Sequence, residues 1–196
     1  MKTIKSEIIG DLKQDEHFED WWESEPIQIP FFSGEKMKIT FMNCEPEIDT
    51  EFIKEADEAL KTFLKKTEDD RFLASGLVYK NCMEFLNAVQ FDEADQSLRD
   101  INDKKEIWNF VEPRSLLVTR SHDLHEIIYI NLACECEWEQ EHGLQILFKK
   151  GDKLVRVSEQ DGHISEPDSN ENSMNNKPII EQNNKETKLK WWEFWK

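Results

Sequence analysis

Three groups of side chains in this 196-residue chain have the types and spacing that could do chemistry. The first is His122, Asp123 and His125 together with Glu141 and His142. Imidazole and carboxylate are ligands for borderline divalent metals, so these groups gathered at one place would suit a metal-dependent enzyme. The alternating segment between the two clusters reads as one long strand with a turn at each end, which separates them. Exposed turns also favour His, Asp and Glu for ordinary reasons, and no metal site is predicted. The second group is Cys134 and Cys136. A redox pair needs exposed, activated thiolates. Two residues apart on a strand, these thiols share a face with Leu132 and Trp138, which predicts core packing. The third group is the C-terminal run Trp191-Trp192-Glu193-Phe194-Trp195, where three of the seven tryptophans fall within the last six residues. Tryptophan is enriched at binding hot spots and at membrane interfaces. Trp191, Trp192, Phe194 and Trp195 are the predicted binding residues. The competing readings are that the run folds back onto its own domain or does nothing.

No phosphate-binding glycine loop, H-E-x-x-H or G-x-S-x-G occurs in the chain, so no catalytic residue and no cofactor is predicted. Cys44 and Cys82 complete the four cysteines; none is spaced as C-x-x-C, and all four are expected as reduced, half-buried thiols.

The balance of charge narrows the partners. The net charge is −17 and the pI about 4.7. Such a chain repels nucleic-acid phosphate and anionic lipid and attracts basic proteins. No run of 18 apolar residues is present, and the first residues lack the apolar centre of a signal peptide. A cytoplasmic location is expected.

The elements that would position these groups follow from periodicity. Residues 1–26 are polar and acidic, with Trp21 and Trp22 expected to cover a sheet edge. Ile27, Ile29 and Phe31, then Met37, Ile39 and Phe41, alternate around Ser33-Gly34-Glu35 and predict a β-hairpin, with Pro30 at an edge or bulge. Asp49 or Thr50 caps a helix carrying Phe52, Ile53, Ala56, Leu60, Phe63 and Leu64 inward. Thr67 caps a second helix running to about Val89. Phe72, Gly76, Tyr79, Met83 and Leu86 are its predicted inner stripe, and Gly76 a point of close packing. Residues 91–106 read as a short helix or surface loop. After Pro113 come a short strand at 116–118, a long strand from Ile128 to Trp138, a turn at 139–143, a strand at 144–148, a turn at 150–152 and a last strand from Leu154. The fold class is α+β: an N-terminal β-hairpin, two central helices and a C-terminal antiparallel meander. From Ser165 to Lys190 the pattern ends and aromatics are absent, which predicts a disordered linker. Its 26 residues would span roughly 30 Å root-mean-square as a flexible coil. The expected organisation is therefore an acidic domain over 1–164, a linker over 165–190 and an aromatic docking segment over 191–196.

Cys136-Glu137-Trp138-Glu139-Gln140-Glu141-His142-Gly143-Leu144, with Phe148, Gly151, Leu154, Val157 and Asp161-Gly162-His163 after it, resembles a family of uncharacterised bacterial domains. Trp21-Trp22, Ile27 to Phe31, Gly34 and Met37 to Phe41 are similar to that family's opening. The resemblance covers about residues 15–164, with 91–106 reading as an insertion, and carries no catalytic residues. Some relatives are similar to proteins encoded near toxin-immunity loci, which implies an immunity-type inhibitor of a basic toxin as one alternative.

The main expectation is a protein-interaction module that docks to a partner through its aromatic tail and acidic surface. Weak peripheral membrane contact through the terminal tryptophans and Lys188, Lys190 and Lys196 is a further alternative. A metal-dependent enzyme ranks last.

Overall fold

Short and long stretches of alternating residues from both ends of the chain meet in one sheet, and a long excursion between them carries the helices across it. The computed structural model describes residues 2–89, 93–121, 126–162 and 164, which belong to the unit Met1–Ser165. The strands are β1 (Thr3–Ser6), β2 (Gly10–Gln14), β3 (Trp22–Ser24), β4 (Ile27–Ile29), β5 (Glu35–Met37), β6 (Ile39–Phe41), β7 (Val111–Arg120), β8 (Ile128–Cys136), β9 (Glu139–Lys149) and β10 (Lys153–Ser158). Eight form one sheet in the order β1-β2-β3-β6-β7-β8-β9-β10, and β4 and β5 pair apart from it. The α+β class is as expected. All pairings are antiparallel except β6 with β7, where Thr40 lies beside Leu117. That parallel pair encloses the helices α1 (Phe52–Phe63), α2 (Glu68–Val89) and α3 (Gln96–Arg99), as a parallel crossover requires.

The helices cover one face of the sheet. Leu116, Val118, Ile130, Leu132, Ile146 and Phe148 point towards them and are almost wholly buried. From α1 come Phe52, Ala56, Leu60 and Phe63. Phe31 lies within 6.2 Å, ring to ring, of Phe63, Phe148 and Trp108. Each such buried ring stabilises by about 1.5–3 kcal/mol. On the opposite face, Leu117, Tyr129, Ala133 and Leu147 are also buried but stand outside this continuous core. Asn131 there donates to Gln145, which donates in turn to Ser158 and Asp161.

Several expected boundaries move. Residues 3–24 hold three strands where the sequence reading placed none. Trp22 is a core residue rather than an edge cover, its indole N–H donating to the Cys44 carbonyl at 2.9 Å. The hairpin at 27–41 is shorter than its alternation implied: Ile27 pairs with Met37 and Ile29 with Glu35. Pro30 opens a 3-10 turn over Pro30–Phe32, because its missing N–H suits a first helical position better than a ladder. Phe31 therefore enters the core from a turn, and β6 leaves the hairpin to join β3 and β7. Residues 93–110 form a 3-10 turn, α3 and a longer 3-10 segment over Lys104–Phe110. Strand β7 begins before Pro113, which sits at a register shift. The 139–143 turn is in fact part of β9; the chain reverses at Glu137 and Trp138, between β8 and β9.

Two glycines are required where they stand. Gly143 has φ 66° beside a register shift, and a Cβ there would lie 2.6 Å from the Cys134 carbonyl oxygen. Gly151, with φ 71°, brings the β9–β10 turn onto α1, and a Cβ would lie 2.0 Å from the Ala59 carbonyl oxygen. At the other end of the sheet Asp57 of α1, itself buried, accepts the Ser6 hydroxyl and the Glu7 amide, the latter at 2.8 Å. That carboxylate fastens the β1–β2 turn to the helix.

Candidate interaction surface

Helix α2 starts where the sequence placed it. Asp70 accepts the Thr67 amide at 2.8 Å, the return half of a capping box, and Glu68, Asp69 and Asp70 fill the first turn, where the helix dipole favours anions. The helix then buries a line of small residues, Ala74, Ser75, Val78 and Cys82, ending on Leu86. Ser75 accepts the Trp108 indole N–H at 2.8 Å. Phe72, Tyr79 and Met83 flank that line, partly buried. The expected inner stripe is thus displaced: small side chains let the helix lie close to the core, and the larger ones pack at its sides.

Gly76 is the clearest correction. It faces outward, and a Cβ added there would meet nothing within 4 Å. Around it lie Leu73, 84% exposed, and Leu77, 50% exposed. Asp69, Leu73, Gly76, Leu77, Lys80 and Glu84 are all exposed and recur at three- and four-residue intervals, so they share one stripe of the helix. Lys80 lies 3.5 Å from Glu84. The result is a flat apolar spot between two leucines, bordered by an acid on one side and a base on the other. Sequence reasoning missed it because α2 carries apolar residues on both its inner and outer sides.

The other groups take different roles. His142 gathers with Glu139 and Glu159 rather than Glu141, their ligand atoms all within 4.8 Å of one another. His142 Nδ1 stands 3.6 Å from Glu139 Oε1. Glu139 is mostly buried, and one of its oxygens is already occupied, accepting the amides of Glu141 at 2.9 Å and His142 at 3.2 Å. This is how a carboxylate holds the bend that follows a hairpin turn. Strand β8 runs between Ile128 and Cys136, and Cys136 pairs with Glu139, so Glu139 lies at the far end of the strand from Ile128. His122, Asp123 and His125 are outside the described residues.

The cysteines are buried thiols. Burial pushes Cys44, Cys82 and Cys136 up to about 12, and raises Cys134 as well. None has the lowered pKa that a reactive thiolate needs. Trp191, Trp192, Phe194 and Trp195, the predicted binding residues, lie outside the described residues. No helix among the described residues is long and apolar enough to cross a membrane.

A family model whose description is "Domain of unknown function (DUF6985)" matches residues 8–164, a range that includes 91–106. Neither a curated protein nor a solved structure matches the chain.

Proposed function

Since the chain belongs to the family described as Domain of unknown function (DUF6985), we propose a function from geometry and sequence: a protein-interaction module that meets its partner through the outward stripe of α2. The exposure of Leu73 and Leu77 around a bare Gly76 carries this reading. Ile8 and Ile48 are exposed singly elsewhere, and single exposed apolar residues are ordinary. A pair one helical turn apart beside a flat backbone is an anchor of the kind that helix-recognising partners use. The tail supplies a second contact through Trp191, Trp192, Phe194 and Trp195, and the linker raises the effective concentration of one contact once the other has formed. The protein's net charge of −17 favours basic groups on whatever meets the acidic surface of the domain, and steers their approach.

Site-specific photo-crosslinking tests this. A benzophenone side chain replaces Leu73 in one variant and Glu58, exposed on α1, in another, each in the full chain and in a chain ending at Lys188. Discrete protein adducts at position 73, weaker in the shortened chain and absent at position 58, are the expected result. Equal labelling at both positions removes the proposal.

A further inference from the structure

The reading above leaves open which protein covers α2; resting on it, we propose that the occupant is a second copy of this chain, docked α2 against α2 as an antiparallel pair. A two-fold interface must be self-complementary, because each residue meets on the partner what its own equivalent meets in return. The outward stripe has that property in shape. Leu73 is 84% exposed and projects as a knob, while Gly76 presents bare backbone with nothing within 4 Å of where its side chain would begin. Leu73 of each copy can rest on the partner's Gly76, so one contact is made twice around the axis. Glycine at the crossing lets two helices approach closely.

The stripe has the same property in charge. The offset that sets Leu73 over the partner's Gly76 also sets Asp69 opposite the partner's Lys80, and by symmetry Lys80 opposite the partner's Asp69. All four positions are exposed and lie on one side of α2. In a shallow crossing of about 20° these charges stay within reach, on either side of the leucine–glycine contacts. Lys80 now pairs with Glu84 at 3.5 Å, with both side chains about two-thirds exposed, and so loose a surface pair is readily exchanged. Leu77, 50% exposed, lies along the same seam. The net charge of −17 opposes association at long range, but beyond about 8 Å that repulsion is screened at physiological ionic strength.

Sedimentation velocity of the full chain over a concentration series, at physiological ionic strength, tests the pairing. The expected result is a monomer–dimer equilibrium. Asp69→Lys and Lys80→Asp should each weaken the dimer at least about tenfold, which is about 1.4 kcal/mol. The combined swap Asp69→Lys/Lys80→Asp should restore it to within about threefold, since the opposed charges are exchanged rather than lost. Leu73→Glu should abolish it. Circular dichroism checks that each variant is folded; Asp69, Leu73 and Lys80 are exposed, and the wild-type series stands without any variant. A chain that is monomeric at every concentration overturns the inference, as does a swap that adds the two losses. A monomeric chain that still gives discrete adducts at position 73 with other proteins overturns this pairing alone and leaves the broader reading in place.

Discussion

Replacing Gly76 by alanine should stabilise the monomer. Glycine inside a helix costs roughly 0.8–1 kcal/mol relative to alanine, because it gives up more backbone freedom on folding. At most buried glycines that gain is offset by collision of the new methyl group. Here a Cβ meets nothing within 4 Å, and Gly76 lies inside α2 with helical backbone that alanine adopts freely. The whole propensity difference should therefore appear, about 1 kcal/mol, or about 2–4 °C in Tm for a domain of this size. Urea unfolding at a concentration low enough to keep the chain monomeric is the assay. The midpoint should rise with the slope unchanged, the mark of a stability change without a change in the surface exposed. An unchanged or lowered midpoint would refute the reasoning, because it would mean that something already rests against Gly76 within the monomer.

Gly151→Ala should do the opposite. Its φ of 71° and the Ala59 carbonyl 2.0 Å from a new Cβ combine left-handed strain with a displaced helix, a loss of at least about 3 kcal/mol. Gly34→Ala, with φ 84° but open space, should lose clearly less in the same urea assay; equal losses would show that the approach to α1 contributes nothing. Asp57→Ala should cost about 1–3 kcal/mol by stranding the Ser6 hydroxyl and Glu7 amide, and a double-mutant cycle with Ser6→Ala should show coupling of at least about 0.5 kcal/mol. Simple additivity would deny the link. The raised thiols make stability depend on alkaline pH. Folded Cys44, Cys82 and Cys136 hold their protons to about 12, whereas the unfolded thiols release theirs near 8.5. Their contribution is fully present below about 8.5 and falls as pH rises from there towards 12, so the urea midpoint should drop across that window. Replacing the three by alanine should flatten the drop, and an unchanged slope would count against burial as its cause.

Much of the second half was legible because its strands are long and one face of them carries the continuous apolar core. Ile128, Ile130, Leu132 and Cys134 alternate without interruption, and the core they face accepts nothing else. Helix α1 was legible for the matching reason, its apolar residues repeating on a single side. β1 and β2 were not. Each is short, β1 at the sheet edge and β2 next to it, with one fully buried residue, Ser6 in one and Leu12 in the other, too little for alternation to show among lysines and aspartates. The chain reversal at Glu137 and Trp138 was hidden because tryptophan is no turn former, while the polar run after it looked like a turn and is a strand. The stripe on α2 was hidden more deeply. Periodicity identifies a face only when the other face is polar, and α2 packs small residues inward while leaving Leu73 and Leu77 outside. Exposure was needed to tell the two sides apart.

The three-residue strand β6 joins two sheets' worth of strands. On one side of it lie β1, β2 and β3, paired to sequence neighbours; on the other, β7 to β10 form their own run of hairpins. β6 meets β3 at two positions and β7 at three, and the β7 contact closes only after the whole helical excursion has been threaded. Long-range closure of this kind is slow, and local hairpins form first. The C-terminal hairpins should therefore act as the early folding unit, and the N-terminal ribbon should attach late through β6. In native-state hydrogen exchange the amides of β1 to β3 should open together, at lower free energy and without exposing those of β8 and β9. The seam in the middle of a continuous sheet is then also the boundary between two cooperative units.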